Sequence, residues 1–278
     1  NMITNGANCL VVASIDSSAL VNALAQAKAN NIPVIAYDRL LMDTDSVSYY
    51  ATFDNKGVGT LIGKYVEKKL GLAEGKGPYN VEFFAGSPDD NNAHFLNDGL
   101  FEVLKPYIDK GQLVVPSGQT DFNTICTLRW SQEAAQKRME DIISGYYSNG
   151  KKLDAVISPF DGISYGIAAA LEGAGYQVGT NWPIITGQDA DQAGVKSIIA
   201  GEQTQTVFKD TRVLAKNTIE MIEAIFKGEE VPVNDTETYD NSVKVVPTYL
   251  ANPISVDKEN YKAELIETEY YTEVDLAQ

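Results

Sequence analysis

PIITGQDADQAGVKSIIAGEQTQTVFKD (183–210) is the stretch whose reading settles the fold class. An apolar run, PIITGQ, gives way to a helical stretch, DQAGVKSIIAG (191–201), and then to a second apolar run, TQTVFKD (204–210). Strand, helix and strand at this spacing read as a right-handed βαβ unit, the repeat of a parallel sheet covered by helices. Both runs stop at polar groups, Asp189 after the first and Lys209 after the second. Ligands of open parallel sheets bind beyond the carboxyl ends of the strands, so function is sought at these ends.

The same rhythm extends in both directions. CLVVAS (9–14) reads as a buried strand, and SSALVNALAQAKAN (17–30) as a helix with Leu20, Leu24 and Ala27 on one face and Ser17 or Ser18 as its cap. The strands PVIAYD (33–38) and SYYATFDN (48–55) follow, then the helix KGVGTLIGKYVEKKL (56–70). The glycine-rich GLAEGKGP (71–78) reads as a connection between lobes. Beyond it, the strands YNVEFFAG, QLVVPSGQ and DAVISP alternate with helices beginning at Asn91, Ser131 and Ile163. After TRVLAKNTIEMIEAIFKG (211–228), a long amphipathic helix, the pattern weakens. KVVPTYL is read as a strand, DKENYKAELI as a short helix, and the acidic, aromatic ETEYYTEVDLAQ (267–278) as a surface tail. The expected fold is α/β with two lobes. Residues 1–75 and 210–235 form the first, and 76–209 and 236–278 the second.

Five apolar runs end in hydrogen-bonding side chains. They supply Asp38 and Arg39, Asn92 and His94, Asp161, Asp189, and Lys209. The mixture of carboxylates, amide and cations suits a neutral, hydroxyl-rich ligand better than an ion. Asp38 and Arg39 form an adjacent acid and base able to chelate vicinal hydroxyls, or a loop ion pair. Arg129-Trp130, in TLRWSQ (127–132), stands where a polar loop meets a helix. The indole is either a platform for a sugar ring or a packed helix-start aromatic. Trp182, before Pro183, is read as structural.

Composition narrows the partners. With 22 Lys and Arg against 38 Asp and Glu, the net charge is −16. Such a chain repels phosphate backbones and anionic membranes, so nucleic acid is not an expected partner. Cys9 and Cys126 lie in no metal-binding spacing, and His94 is the only histidine, so neither a metal nor a cofactor is expected. GVGTLIGK (57–64) fails the phosphate-loop spacing and sits in a helical pattern, where its glycines serve close packing. The Asp-rich SPDDNN (87–92) and NDTETYDN (234–241) match no calcium loop and read as solvated loops. No nucleophile elbow is present. A glycoside-cleaving carboxylate pair drawn from Asp38, Asp161 and Asp189 is the enzyme reading, and nothing places one of them in an apolar pocket as a general acid needs.

The set YDR (37–39), GSPDDNNA (86–93), TGQDAD…VKSIIAGEQTQTVFKD (186–210) and VKVVPTYL (243–250) resembles bacterial solute-binding proteins for monosaccharides that feed ABC importers. The xylose-binding and multiple-sugar-binding branches are nearest, and the likeness covers nearly the whole chain. It implies a non-enzymatic, two-lobe protein that closes about a hinge on a pentose or hexose. A membrane permease reads the closed form, and a chemoreceptor or sensor kinase is a further reader. The setting implied is extracytoplasmic, in a periplasm or lipid-anchored on the outer face of the membrane. By position the resemblance makes Asp38 and Arg39 first-lobe sugar contacts, and Asn92 and His94 second-lobe ones. Trp130 is then the stacking aromatic with Arg129 beside it, Asp189 a carboxylate contact and Lys209 a polar one at a hinge strand. Where relatives carry Asn before Asp, this chain has Phe160-Asp161, so either Phe160 adds an apolar wall or Asp161 takes the polar role. Relatives also begin with two further strand–helix units of about 50 residues. On that reading the first sheet is incomplete, with an exposed edge for another chain or self-association to cover. The rival reading is the effector domain of a sugar-responsive repressor, which shares the architecture and needs a helix-turn-helix ahead of it.

Overall fold

A computed structural model describes residues Asn1–Ala277. The chain divides into two compact units. The first comprises Asn1–Asp54, Asp89–Asn92 and Asp210–Asn252, and the second Asn55–Pro88, Ala93–Lys209 and Pro253–Gln278.

The first unit is a four-stranded parallel sheet, β1 (Leu10–Val12), β2 (Val34–Tyr37), β3 (Tyr49–Phe53) and β9 (Thr248–Ala251), in the order β1-β2-β3-β9. Tyr50, Ala51 and Thr52 register with Thr248, Tyr249 and Leu250. Helix α1 (Val21–Ala29) buries Leu24 and Ala27, and neither Ser17 nor Ser18 caps it. Helix α8 (Thr211–Lys227) starts on Asp210, whose carboxylate accepts from Arg212 N. Its Leu214, Met221 and Ala224 pack on Ile35, Ala51 and Phe53. Each of the larger ones, Leu214, Met221, Ile35 and Phe53, contributes about 1.5–3 kcal/mol when taken from water. The strand at Cys9–Ser14 is shorter and less buried than the sequence suggests. β1 lies at the sheet edge, pairs only with β2 among the described residues, and leaves Val11 44% exposed.

In the second unit, β4 (Tyr79–Phe83), β5 (Leu113–Val114), β6 (Ala155–Ile157) and β7 (Ile184–Ile185) form a parallel sheet ordered β5-β4-β6-β7. The period of two sorts the strand residues between its faces. Val81, Phe83, Ala155 and Ile157 join the core under α2 (Asn55–Leu70) and α3 (Asn91–Asp109). Val156 and Ile185 join the other core, under α5 (Gln132–Ile142) and α6 (Asp161–Gly173). A short helix, α4 (Phe122–Ile125), precedes α5, and α7 (Gln192–Ala200) follows β7. The strand β8 (Gln205–Phe208) pairs antiparallel with β10 (Ile254–Asp257), Phe208 opposite Ile254.

Two sequence boundaries move. Helix α2 belongs to the second unit because Gly59 lies against the α3 backbone, where a Cβ would meet Leu96 O at 1.9 Å. Residues 236–252 belong to the first unit because β9 completes its sheet. The C-terminal segment is not a loose tail, since Leu265 and Leu276 are buried with Phe208 and Val256. Among the described residues, no helix is long and apolar enough to cross a membrane.

Candidate functional site

In the first unit, the chain leaves β2 through Asp38, whose φ of 64° is left-handed. Arg39 N–H donates back to Tyr37 O at 2.7 Å, closing a tight turn around Asp38. Non-glycine residues hold such angles at a cost of about 1–3 kcal/mol, and do so only where neighbours impose them. Here the neighbours are Tyr50 Oη (2.8 Å), Thr52 Oγ1 (2.9 Å) and Asn92 Nδ2 (2.8 Å), all on the Asp38 carbonyl. Burial lifts the Tyr50 hydroxyl well above its usual range, so it stays a donor. No group among the described residues hydrogen-bonds the Asp38 carboxylate. Arg39 Nε meets Asp90 Oδ2 at 2.7 Å, and Asp90 Oδ1 accepts from Asn92 N at 3.0 Å.

This corrects two expectations. Asp90 is not part of a solvated loop but is only 4% exposed, and it orients Arg39. Asn92 groups with the first unit, not the second, and its amide is used at both ends, Nδ2 on Asp38 O and Oδ1 3.1 Å from Tyr50 Oη. It holds the Asp38 turn rather than presenting an open amide.

In the second unit, the chain beyond β4 meets the segment after α4. Ala85 pairs with Cys126, and Ser87 Oγ accepts from Arg129 N at 2.7 Å. Arg129 and Trp130 are both left-handed (φ 56° and 55°), which turns the half-buried indole onto Gly86. A Cβ on Gly86 would sit 2.1 Å from the indole Cη2, so only glycine leaves room for the ring. Phe160 packs edge-on to it, centroids 5.9 Å apart at 83°. Trp130 Nε1 and Thr127 Oγ1 are buried without a partner among the described residues. Arg129 itself is exposed.

Past β7, Asp189 and Ala190 are left-handed (φ 93° and 50°). Asp189 Oδ1 lies 2.8 Å from Lys209 Nζ at the end of β8. Asp161 N–H donates to Gln188 O at 3.1 Å, tying the Phe160 turn to the Asp189 turn.

Asp161 turns its carboxylate inward. It is fully buried, with Oδ1 accepting from Gln203 Nε2 (2.7 Å) and Thr206 Oγ1 (2.8 Å) and Oδ2 from Asp191 N (3.1 Å). Its burial pushes the carboxyl well above the ordinary range, while the Gln203 and Thr206 bonds oppose the shift. The apolar alternative at this pair is the one the packing matches, with Phe160 against Trp130. His94 stands apart on α3, stacked 4.2 Å from Phe122, its Nε2–H donating to Pro88 O at 3.1 Å. Trp182 is structural, its Nε1 donating to Glu202 O at 2.6 Å. Cys9 and Cys126 are both free thiols.

Each unit therefore carries a strained aspartate turn at a strand end, and the second adds an aromatic wall and a cation. The second unit alone offers a hydroxyl acceptor, one ammonium donor and a flat apolar face. The family model "Periplasmic binding protein domain" matches residues 1–230. The chain belongs to this family. It is 53% identical over 272 residues to the multiple sugar-binding periplasmic receptor ChvE of Rhizobium radiobacter, covering 98% of this chain and 77% of that protein. It is 37% identical over 276 residues to the D-xylose-binding periplasmic protein of Escherichia coli, covering 99% and 77%. Among solved structures, an ABC transporter solute-binding protein from Clostridium phytofermentans with bound β-D-glucose matches with a TM-score of 0.94 at 52% identity, covering 100% of this chain and 85% of that one. The two-lobe periplasmic-binding fold is thus the fold of this chain.

Proposed function

We propose that this protein is an extracytoplasmic solute-binding protein that captures a pentose or hexose and delivers it to an ABC permease. The observation that carries the reading is the 52% identity, at a TM-score of 0.94, to a solute-binding protein holding β-D-glucose. The relatives named as multiple sugar-binding and D-xylose-binding periplasmic proteins support the same ligand class and an extracytoplasmic setting. They favour a binder over an enzyme and over a repressor's effector domain. The proposed setting lies outside the cytoplasmic membrane, with the permease as the reader of the sugar-bound form.

The residues proposed for the sugar are Trp130 and Phe160 as the apolar wall, Asp189 and Lys209 as the acceptor and donor beside it, and Asp38 with Arg39 from the first unit. An indole face covers the C–H face of a pyranose and removes apolar area from water, while charged groups bond the ring hydroxyls. Asn92 and Asp90 act behind Asp38 and Arg39. Calorimetric titration against xylose, glucose, galactose, arabinose and fucose tests the reading. Saturable binding of at least one is expected, and no response to any of them overturns it.

A further inference from the structure

The Asp189 turn is clamped by groups that are not among the proposed sugar contacts. Ala190 N–H donates to Thr206 Oγ1 at 3.1 Å, and Tyr271 Oη donates to Ala190 O at 3.1 Å. Asp191 N–H donates to Asp161 Oδ2 at 3.1 Å. Thr206 Oγ1 in turn donates to Asp161 Oδ1 at 2.8 Å, so one hydroxyl joins the buried carboxylate to the turn. These clamps reach across 16, 81 and 30 residues of sequence. Burial raises the Tyr271 hydroxyl to about 12, which keeps it a donor at neutral pH.

Where left-handed backbone serves only to end a helix, as after α7 and α8, this chain uses glycine, Gly201 and Gly228. At 189 and 190 it uses Asp and Ala, accepts the strain, and surrounds the turn with bonds that fix it. A turn needed only to reverse the chain has no use for that arrangement. A turn that must present one carboxylate in one place does.

Resting on the sugar-binding reading, we propose that Thr206 and Tyr271 are positioning residues. They hold the Asp189 carboxylate in register beside Lys209 and so set sugar affinity without touching the sugar. The C-terminal segment that carries Tyr271 is then part of the binding apparatus rather than a peripheral wrap.

The test is calorimetry with the tightest sugar of the panel on the wild type, Thr206→Val, Thr206→Ser, Tyr271→Phe, Asp189→Asn and the pairs of Asp189→Asn with Thr206→Val and Tyr271→Phe. Sugar is raised to saturation for the weak variants. Loss of the bond that each hydroxyl makes to the Ala190 peptide groups predicts that Thr206→Val and Tyr271→Phe each weaken binding about three- to tenfold. Thr206→Ser, which keeps the hydroxyl, should bind as the wild type does. In the Asp189→Asn background both losses should vanish, because the carboxylate they position is gone. The proposal is overturned if the single variants bind as the wild type, or if their losses persist undiminished without Asp189, as a general structural defect would. Tyr271→Phe keeps the ring packed beside Tyr270, 5.0 Å away, and decides the matter alone if Thr206→Val does not fold. A wild type that binds no sugar fails the sugar reading itself, which is a separate outcome.

Discussion

The two aspartate turns solve one problem differently. At Asp38 the donors converge on the carbonyl of the aspartate itself, two of them from the neighbouring strand β3 and one from Asn92. At Asp189 the clamps hold the following peptide groups, and they come from β8, the start of α6 and the C-terminal segment. The side chains differ as well. Asp38 has no hydrogen-bonded partner for its carboxylate among the described residues, and the cation next to it is turned to Asp90. Asp189 is ion-paired with Lys209, whose side chain is only 13% exposed. The first turn is fixed in its backbone, and its carboxylate has no hydrogen-bonded partner among the described residues. The second is stiff in both backbone and charge.

That contrast is easiest to break by deleting each carboxylate. Asp189→Ala and Asp38→Ala should both weaken sugar binding by about 2–5 kcal/mol, the usual cost of truncating a buried charged contact. Only Asp189→Ala should also lower the thermal unfolding midpoint, because it takes away the ion pair of a mostly buried lysine. Equal midpoints for the two variants would erase the difference between the turns. Trp130→Ala should cost about 2 kcal/mol of sugar affinity through lost apolar contact. It acts through the wall that the second unit has beside its turn, and calorimetry reads it directly.

Smaller effects sharpen the comparison. Tyr50→Phe removes one of three donors on a single carbonyl, so the two that remain should limit the loss of stability to about 1 kcal/mol. Denaturant unfolding measures it. Asp210 provides a local calibration in the first unit. Its carboxyl is held below the ordinary range, chiefly by the Arg212 side chain, and it caps α8. A depressed folded value means stability that is present above the unfolded value of about 3.9 and lost as pH falls through the folded one. Asp210→Ala should therefore destabilise by about 0.5–1 kcal/mol at pH 7, and the gap to the wild type should close as the pH falls through the depressed folded value.

Much of the fold was legible because alternation of apolar runs and helical stretches is a local signal. Val81, Ala155 and Ile157 lie where that pattern puts them. The Asp38, Asp189, Lys209 and Trp130 positions were legible as strand ends and loop–helix junctions. What the residues did not announce depends on partners distant in the chain. Asp90 looks like any aspartate in an Asp-rich loop until Arg39 turns to it, and its only signal is that a half-buried arginine needs a countercharge. Asp161 reads like Asp189, both being aspartates at a turn after a strand, yet Gln203 and Thr206 enclose one and not the other. Tyr271 reads as part of an acidic, aromatic surface tail, and its bond to Ala190 is not visible in the sequence.

The chain has two tryptophans, so the Trp182→Phe variant leaves Trp130 as its only indole. Titrating that variant with glucose or xylose while recording tryptophan emission tests whether the Trp130–Phe160 wall receives the sugar. A saturable change in emission, with the same midpoint as calorimetry on the same variant, is the predicted result. Calorimetric binding with an unchanged Trp130 spectrum would place the sugar elsewhere and contradict the account.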